Sequence, residues 1–279
     1  MSVFPVNRIG MVARLSAGKS AADSLAPVKN LSLPVIQLGG IYDALLFGEK
    51  SASLRQELAL ALKECGAECL AVWLTFPGQE WSVEKGPDTV GLVPEKLRTQ
   101  RMLRSCMIAD LALELGVKTL AVHIGFLPQP DSESYAQFAD EMRYFLAFLA
   151  ARDQELLLET GQESADELLE FISALSADNI GINFDPANLV IYNTDQPLAA
   201  LDKLMPFVRC VHIKDAVAPE KPGTTGKEVR FGLGEVNADA FLGALKEKNY
   251  TGALIIEREI SGAEQIEDIN LTIAVIKDF

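Results

Sequence analysis

Four residues of this chain have the types and placement to act together on one small molecule: Glu159 in LLLETG, Asp185 in INFDPAN, His212 in VHIKDA and Glu257 in LIIERE. Each lies near the end of a short apolar, β-branched run. Carboxylates and imidazoles are the groups of acid–base catalysis and of divalent-metal ligation. Three carboxylates aimed at one volume beside an imidazole would repel each other if that volume were empty, and a divalent cation resolves the conflict. An oxygen-rich set with one nitrogen suits Mn2+, Co2+ or Mg2+, with Zn2+ also admissible. VHIKDA poses a further question. It puts His212 and Lys214 on the same strand face and follows them with Asp215, although a buried strand favours apolar residues and an unpartnered buried Lys is costly.

Convergence of these residues requires elements that aim them at one point. Eight apolar runs recur, at 8–15, 34–40, 68–76, 118–126, 155–161, 180–188, 208–216 and 253–260. Helix-patterned stretches separate them. Among these, 52–66 has helical apolar spacing, 94–116 opens near Pro94 and ends at Gly116, 164–175 opens with the capping-box pair Ser164 and Glu167, and 237–250 opens with a capping Asn. Alternation of strand and helix means parallel βαβ units, and eight of them make a (β/α)8 TIM barrel, expected here as a single domain over 1–279. An open doubly wound sheet would carry a glycine-rich fingerprint after its first strand. RLSAGKS matches neither that fingerprint nor a phosphate loop, and it reads as a helix start.

Strand side chains alternate, so one parity of each run faces the barrel interior. Leu157 and Glu159 share a face, as do Asn183 and Asp185; Cys210, His212 and Lys214; Ile255, Glu257 and Glu259; and Ala121, His123 and Gly125. The opposite parity (Leu156, Leu158, Val211, Ile213, Leu254, Ile256) is apolar and belongs against the helices. The polar residues therefore converge at the strand-exit face. His123 is placed to hydrogen-bond a substrate hydroxyl. Lys214 is placed to polarise a substrate oxygen or to pair with Asp185 or Glu257. Gln162, Arg230 and Glu235 are further candidates for the pocket, and Trp73, Phe76 and Trp81 for an apolar wall. The long polar loops 77–92, 127–134 and 216–235 all follow strands, which is where a barrel builds its site.

With 279 residues and 49% hydrophobic composition the chain has material for a sizeable core. The net charge of -14 disfavours a nucleic-acid partner. The opening MSVFPVNRIG has no basic start followed by an apolar run, and no stretch is apolar for 18 residues, so neither a leader nor a membrane span is expected. The four cysteines have no metal-ribbon spacing and fit a reducing, cytoplasmic protein.

LLLETGQES, NFDPAN, VHIKDA, GLGEV and LIIERE, in this order, resemble the sugar phosphate isomerase/epimerase family of xylose isomerase-like barrels. The resemblance spans nearly the whole chain. It implies one divalent metal, Mn2+ foremost with Mg2+, Co2+ or Zn2+ as alternatives, on Glu159, Asp185, His212 and Glu257. It also implies that the two glutamates form the acid/base pair. The implied reaction is isomerisation or epimerisation of a sugar or keto-sugar, by proton removal next to a carbonyl through a metal-stabilised enediolate. The same barrel type hosts lyases and dehydratases of keto-sugars or inososes, so elimination is the alternative. Ketohexose epimerases of the family carry a His where this chain has Asn188, and an Arg shortly after the metal-binding His where it has Ala218. Asn188 thus joins the substrate-binding candidates, and the sugar contacts differ from theirs. Metal-dependent abasic-site endonucleases share the barrel, but their trinuclear zinc sites need many histidines, and this chain has His123 and His212 alone. The complete four-ligand set argues against a third reading, a non-catalytic binding or structural protein on a decayed barrel. The expected partner is a small sugar or polyol, with no nucleic acid and no membrane; a homo-oligomer is left open.

Overall fold

The computed structural model describes residues 4–279; the first residues of the opening segment read above lie outside it. Every one of the eight apolar runs is a barrel strand. The strands are β1 (Ile9–Arg14), β2 (Val35–Gly39), β3 (Glu68–Trp73), β4 (Thr119–Val122), β5 (Glu155–Glu159), β6 (Ile180–Phe184), β7 (Val208–Ile213) and β10 (Ala253–Ile256). They pair in parallel and close in the order β1-β10-β7-β6-β5-β4-β3-β2. The loop expected at 216–235 is partly ordered as an antiparallel hairpin of β8 (Asp215–Val217) and β9 (Lys227–Val229).

Helices cover the outside: α1 (Ala21–Asn30), α2 (Asp43–Leu46), α3 (Ser51–Cys65), α4 (Gly86–Thr89), α5 (Glu95–Glu114) and α6 (Glu133–Ala150) in the first half. The second half has α7 (Ala165–Leu175), α8 (Pro186–Tyr192), α9 (Pro197–Leu204), α10 (Ala238–Glu247) and α11 (Ala263–Asp278). The caps follow the sequence signals. Ser20 caps α1, Ser164 and Glu167 form the capping box of α7, and Asn237 caps α10. No helix among the described residues is long and apolar enough to cross a membrane.

The alternation of side chains divides the core in two. Val12, Val35, Ala71, Ala121, Leu157, Cys210, Ala253 and Ile255 fill the barrel interior. Leu156, Leu158, Val211, Ile213, Leu254 and Ile256 pack outward against the helices. The small interior cluster supports a floor of polar residues at the strand exits.

Helix α5 buries three arginines, Arg98, Arg101 and Arg104. Spaced at three residues they share one face, and they take up the carbonyls of the loops that lead to the site. Arg101 donates to Gly91 O (2.6 Å) and Thr89 O (2.7 Å). Arg104 donates to Thr75 O (2.6 Å), Ile41 O (2.7 Å) and Asp43 Oδ1 (2.6 Å). Arg104→Met leaves two carbonyls without a donor. It is expected to cost about 2–4 kcal/mol, because each unpaired buried acceptor costs roughly 1–3 kcal/mol. Thermal unfolding should show a clearly lower Tm, and an unchanged Tm would mean that the loops do not depend on this helix.

Candidate active site

Glu159 closes β5, and Asp185, directly after β6, is the N-cap of α8. His212 lies in β7, and Glu257 directly follows β10. All four are buried, and one ligand atom from each falls within 4.8 Å of all the others. Several of these atoms lack a partner. Asp185 Oδ1 accepts from the backbone of Ala187 (2.8 Å) and Asn188 (3.2 Å), which leaves Oδ2 without a hydrogen bond. His212 Nδ1 stands 2.9 Å from Glu159 Oε1, 3.4 Å from Glu257 Oε2 and 3.5 Å from Asp185 Oδ2, yet makes no hydrogen bond. Buried polar atoms are rarely left unpaired. Three carboxylates and one imidazole nitrogen converging on a single point, with Asp185 Oδ2 and His212 Nδ1 in no hydrogen bond, form a donor set that fits one divalent cation. Thr160 locks the geometry by exchanging hydrogen bonds with Asp185 N and O (2.7 and 2.8 Å), which ties the end of β5 to that of β6.

Cations surround the carboxylates. Lys214 Nζ is buried, 2.9 Å from Glu257 Oε2 and 3.4 Å from both Glu259 Oε1 and Asn188 Oδ1. Arg14, at the end of β1, pairs with Glu257 and reaches Glu259 at 3.4 Å. His123 Nε2 pairs with Glu159 Oε2. Burial alone would raise the Glu159 carboxyl, but His123 and His212 outweigh it and hold it at about 2. Burial opposes ionisation of Glu257 too, and Lys214 and Arg14 reverse that, keeping it well below the usual carboxylate range. Both glutamates are therefore ionised and able to accept a proton.

Above this floor opens a cavity of about 370 Å³, a size suited to a small ligand. Its lining includes Glu159, Glu257, His123, Asn188 and Lys214. Trp73 and Trp81 form its aromatic wall, with the Trp81 ring 4.8 Å from that of His123. Loop 77–92 supplies Gln79 and Trp81, and the 216–235 segment supplies Thr225, Gly226 and Glu228. The Asp215 of VHIKDA holds that segment. Its carboxylate accepts from the backbone N–H groups of Ala216 (2.9 Å), Gly232 (2.9 Å), Gly234 (3.0 Å) and Val236 (3.0 Å). A Cβ at position 234 would fall 2.3 Å from Asp215 Oδ1, so the clamp requires the glycine of GLGEV.

The family profile of xylose isomerase-like TIM barrels matches residues 47–278. The chain belongs to this family. A solved xylose isomerase domain protein from Planctomyces limnophilus is 31% identical, with a TM-score of 0.87 over 98% of this chain and 96% of that one. A xylose isomerase-like TIM barrel protein from Mycobacterium smegmatis, solved in complex with magnesium, shares the fold at 18% identity and TM-score 0.71, with 97% of each chain covered. So does a D-allulose 3-epimerase from Methylomonas sp. in complex with D-allulose, at 16% identity and TM-score 0.71 over 99% of this chain and 98% of that one. The fold neighbours at 16% identity also include a 3-keto-D-glucoside 4-epimerase from E. coli and a probable 3-DHS dehydratase from Bacillus anthracis. A curated relative, the uncharacterised protein YihM of Escherichia coli (strain K12), is 27% identical over 147 residues; the match covers 48% of this chain and 42% of that protein, so the chain spans less than half of its length.

The remaining candidates of this xylose isomerase-like barrel fall in different places. Gln162 lies against Tyr192, which lines the cavity, and Arg230 is partly buried in the 216–235 segment; neither is itself among the lining residues. Phe76 is core rather than wall, with the Arg101 guanidinium over its ring at 5.2 Å. Glu235 accepts from Ala218 N (3.1 Å) and braces its own loop. Two inward polar residues were not singled out from the sequence, Gln37 on β2 and Arg14 on β1. Strand parity would have found both, since they follow Val35 and Val12 of the interior cluster by two residues.

Glu163 is a buried carboxyl outside the ligand set, and neither of its oxygens has a hydrogen-bond partner. Burial pushes it up to about 8. Its folded value lies above its unfolded one, so its contribution to stability is whole below about pH 4 and is lost as pH rises to about 8. Glu163→Gln is expected to stabilise the barrel increasingly over that window, by on the order of 3–5 kcal/mol at its upper end. Denaturation at pH 5 and pH 8.5 checks this, and a pH-independent difference would contradict it.

Proposed function

We propose that this barrel is a divalent-metal-dependent isomerase or epimerase that removes a proton next to the carbonyl of an unphosphorylated sugar or keto-sugar. The observation that carries the reading is the buried convergence of Glu159, Asp185, His212 and Glu257, with ligand atoms left unpaired, beneath an aromatic-walled cavity. In this reading Glu159, Asp185, His212 Nδ1 and Glu257 hold the cation, Mn2+ in the first instance. A bound divalent cation supplies positive charge where oxyanion character develops. Glu159 and Glu257 stand on strands separated by β6 and β7 around the rim. One takes the proton and the other returns one from the opposite face of the substrate. His123 and Asn188 orient hydroxyl groups, Lys214 keeps Glu257 ionised while facing the substrate, and Trp73 and Trp81 wall off water. The four free thiols support a reducing, cytoplasmic setting.

The charge pattern supports a neutral substrate. Arg14, Lys214 and His123, the cationic groups of the described lining, are each already paired with a carboxylate. A phosphate would find no free counter-charge and would meet Glu228 and Glu259 at the mouth. Screening keto-sugars and inososes with Mn2+-reconstituted protein, with products read by NMR, tests the reading. Metal-dependent turnover of a neutral substrate is expected, with at least about tenfold lower kcat/KM for its phosphorylated counterpart. Loss of a hydroxyl in the product would identify a lyase instead. Activity indifferent to chelation would remove the basis of the reading.

A further inference from the structure

Beneath the carboxylates lies a hydrogen-bonded chain that spans the barrel interior from β3 through β2 to β7. The Trp73 indole Nε1 donates to Gln37 Oε1 at 3.0 Å. An indole N–H can only donate, so the Gln37 atom facing it is the oxygen and the orientation of the amide is fixed. The Gln37 nitrogen then donates to Asn183 Oδ1 (2.9 Å) and approaches Cys210 Sγ (3.2 Å). The same Gln37 oxygen stands 2.8 Å from His212 Nε2. An amide oxygen accepts, so this contact, the shorter of the two at Nε2, is a hydrogen bond only when Nε2 carries a hydrogen. Asn183 Nδ2 also approaches Nε2, at 3.0 Å, while donating to Glu159 Oε1 at 3.3 Å. If Nε2 instead accepted from Asn183, the Gln37 oxygen would face a ring lone pair at hydrogen-bond distance. Gln37 is fully buried.

We infer that Gln37 is a positioning residue: it holds the His212 proton on Nε2, so that the Nδ1 lone pair is the one presented to Glu159, Asp185, Glu257 and a metal among them. The inference rests on the metal reading above. A ring nitrogen binds a cation only when unprotonated, and the hydrogen bond at the other nitrogen selects which one that is. Trp73 takes part at one remove, by fixing which end of the Gln37 amide faces the ring.

Because the chain has only two histidines, 15N-histidine NMR of this chain, with Zn2+ as a diamagnetic probe and His123→Gln for assignment, reads the tautomer directly. In the Zn2+-loaded wild type we expect His212 Nε2 to be protonated and Nδ1 to be metal-shifted. Gln37→Met is expected to lower Zn2+ affinity about 10–100-fold, as for other partners of metal-binding histidines, and to give mixed ring tautomers. Gln37→Glu, which keeps an acceptor, should restore the single Nε2–H form. Trp73→Phe, a milder change away from His212, should mix the tautomers too, and keeps the test open if Gln37→Met does not fold. Wild-type affinity and tautomer in folded Gln37→Met, or an unprotonated Nε2 in the wild type, would overturn the role of Gln37 alone. A folded wild type that binds no Zn2+ would overturn the metal reading and this inference with it, and the two failures are distinguishable by which protein shows them.

Discussion

Replacing Glu159 or Glu257 by Gln is expected to lower turnover at least about 100-fold at saturating metal, the scale for losing a general base. Each glutamate is buried yet ionised, because histidines flank Glu159 while Lys214 and Arg14 flank Glu257. A Gln keeps the shape and one ligating oxygen but can neither take nor return a proton. Since it also carries less charge, the variants must be compared at metal concentrations that saturate each of them. The wild type should in addition place solvent deuterium on the carbon next to the substrate carbonyl during turnover in D2O, because a proton held on a glutamate exchanges with water before it is delivered. Turnover without deuterium would instead indicate a hydride shift between neighbouring carbons, which would retain the metal set and remove the acid–base role of the two glutamates.

The second large effect concerns the metal. Protein reconstituted with Mn2+ should hold about one ion per chain, as a single four-ligand set allows. His212→Ala should bind it at least about 100-fold more weakly, since loss of a direct ligand exceeds the 10–100-fold typical for a supporting partner. Binding should also release protons. Burial alone would lower the His212 value, but Glu159, Asp185 and Glu257 outweigh it and raise it well above the ordinary imidazole range. In the metal-free chain the ring therefore carries a proton on both nitrogens; a cation displaces the one on Nδ1 and leaves the one on Nε2. The sign follows: affinity weakens as pH falls, because protonation competes with the metal. Titration calorimetry in two buffers of different ionisation enthalpy measures the released protons. Zero release, or wild-type affinity in His212→Ala, would exclude His212 from the ligand set.

The barrel was legible because its signals are local and periodic. All eight apolar runs became strands, and the parity of side chains in β5, β6, β7 and β10 divided interior from exterior as the structure does. The same parity brings Glu159, Asp185, His212 and Glu257 together without any knowledge of loops. Where position depends on loop conformation, alternation gives no guidance. Gln162 and Arg230 fall outside the cavity lining, and Glu235 braces a hairpin that reads as loop in the sequence. Asp215 is explained only by folding, since three of the four N–H groups it gathers come from residues 232–236 on the far side of the hairpin. Lys214, a buried cation on a strand that should be apolar, is accounted for by Glu257 and Glu259 beside it. The importance of Gln37 was hidden for a different reason: its partners Trp73 and His212 lie 36 and 175 residues away in sequence.

The most direct test of the central claim is anomalous scattering from crystals of this chain grown with Mn2+. One strong peak is expected, bounded by the side chains of Glu159, Asp185, His212 and Glu257, with His212 approaching through Nδ1. A crystal holding Mn2+ elsewhere while these four side chains remain in their mutual ion pairs would contradict the account.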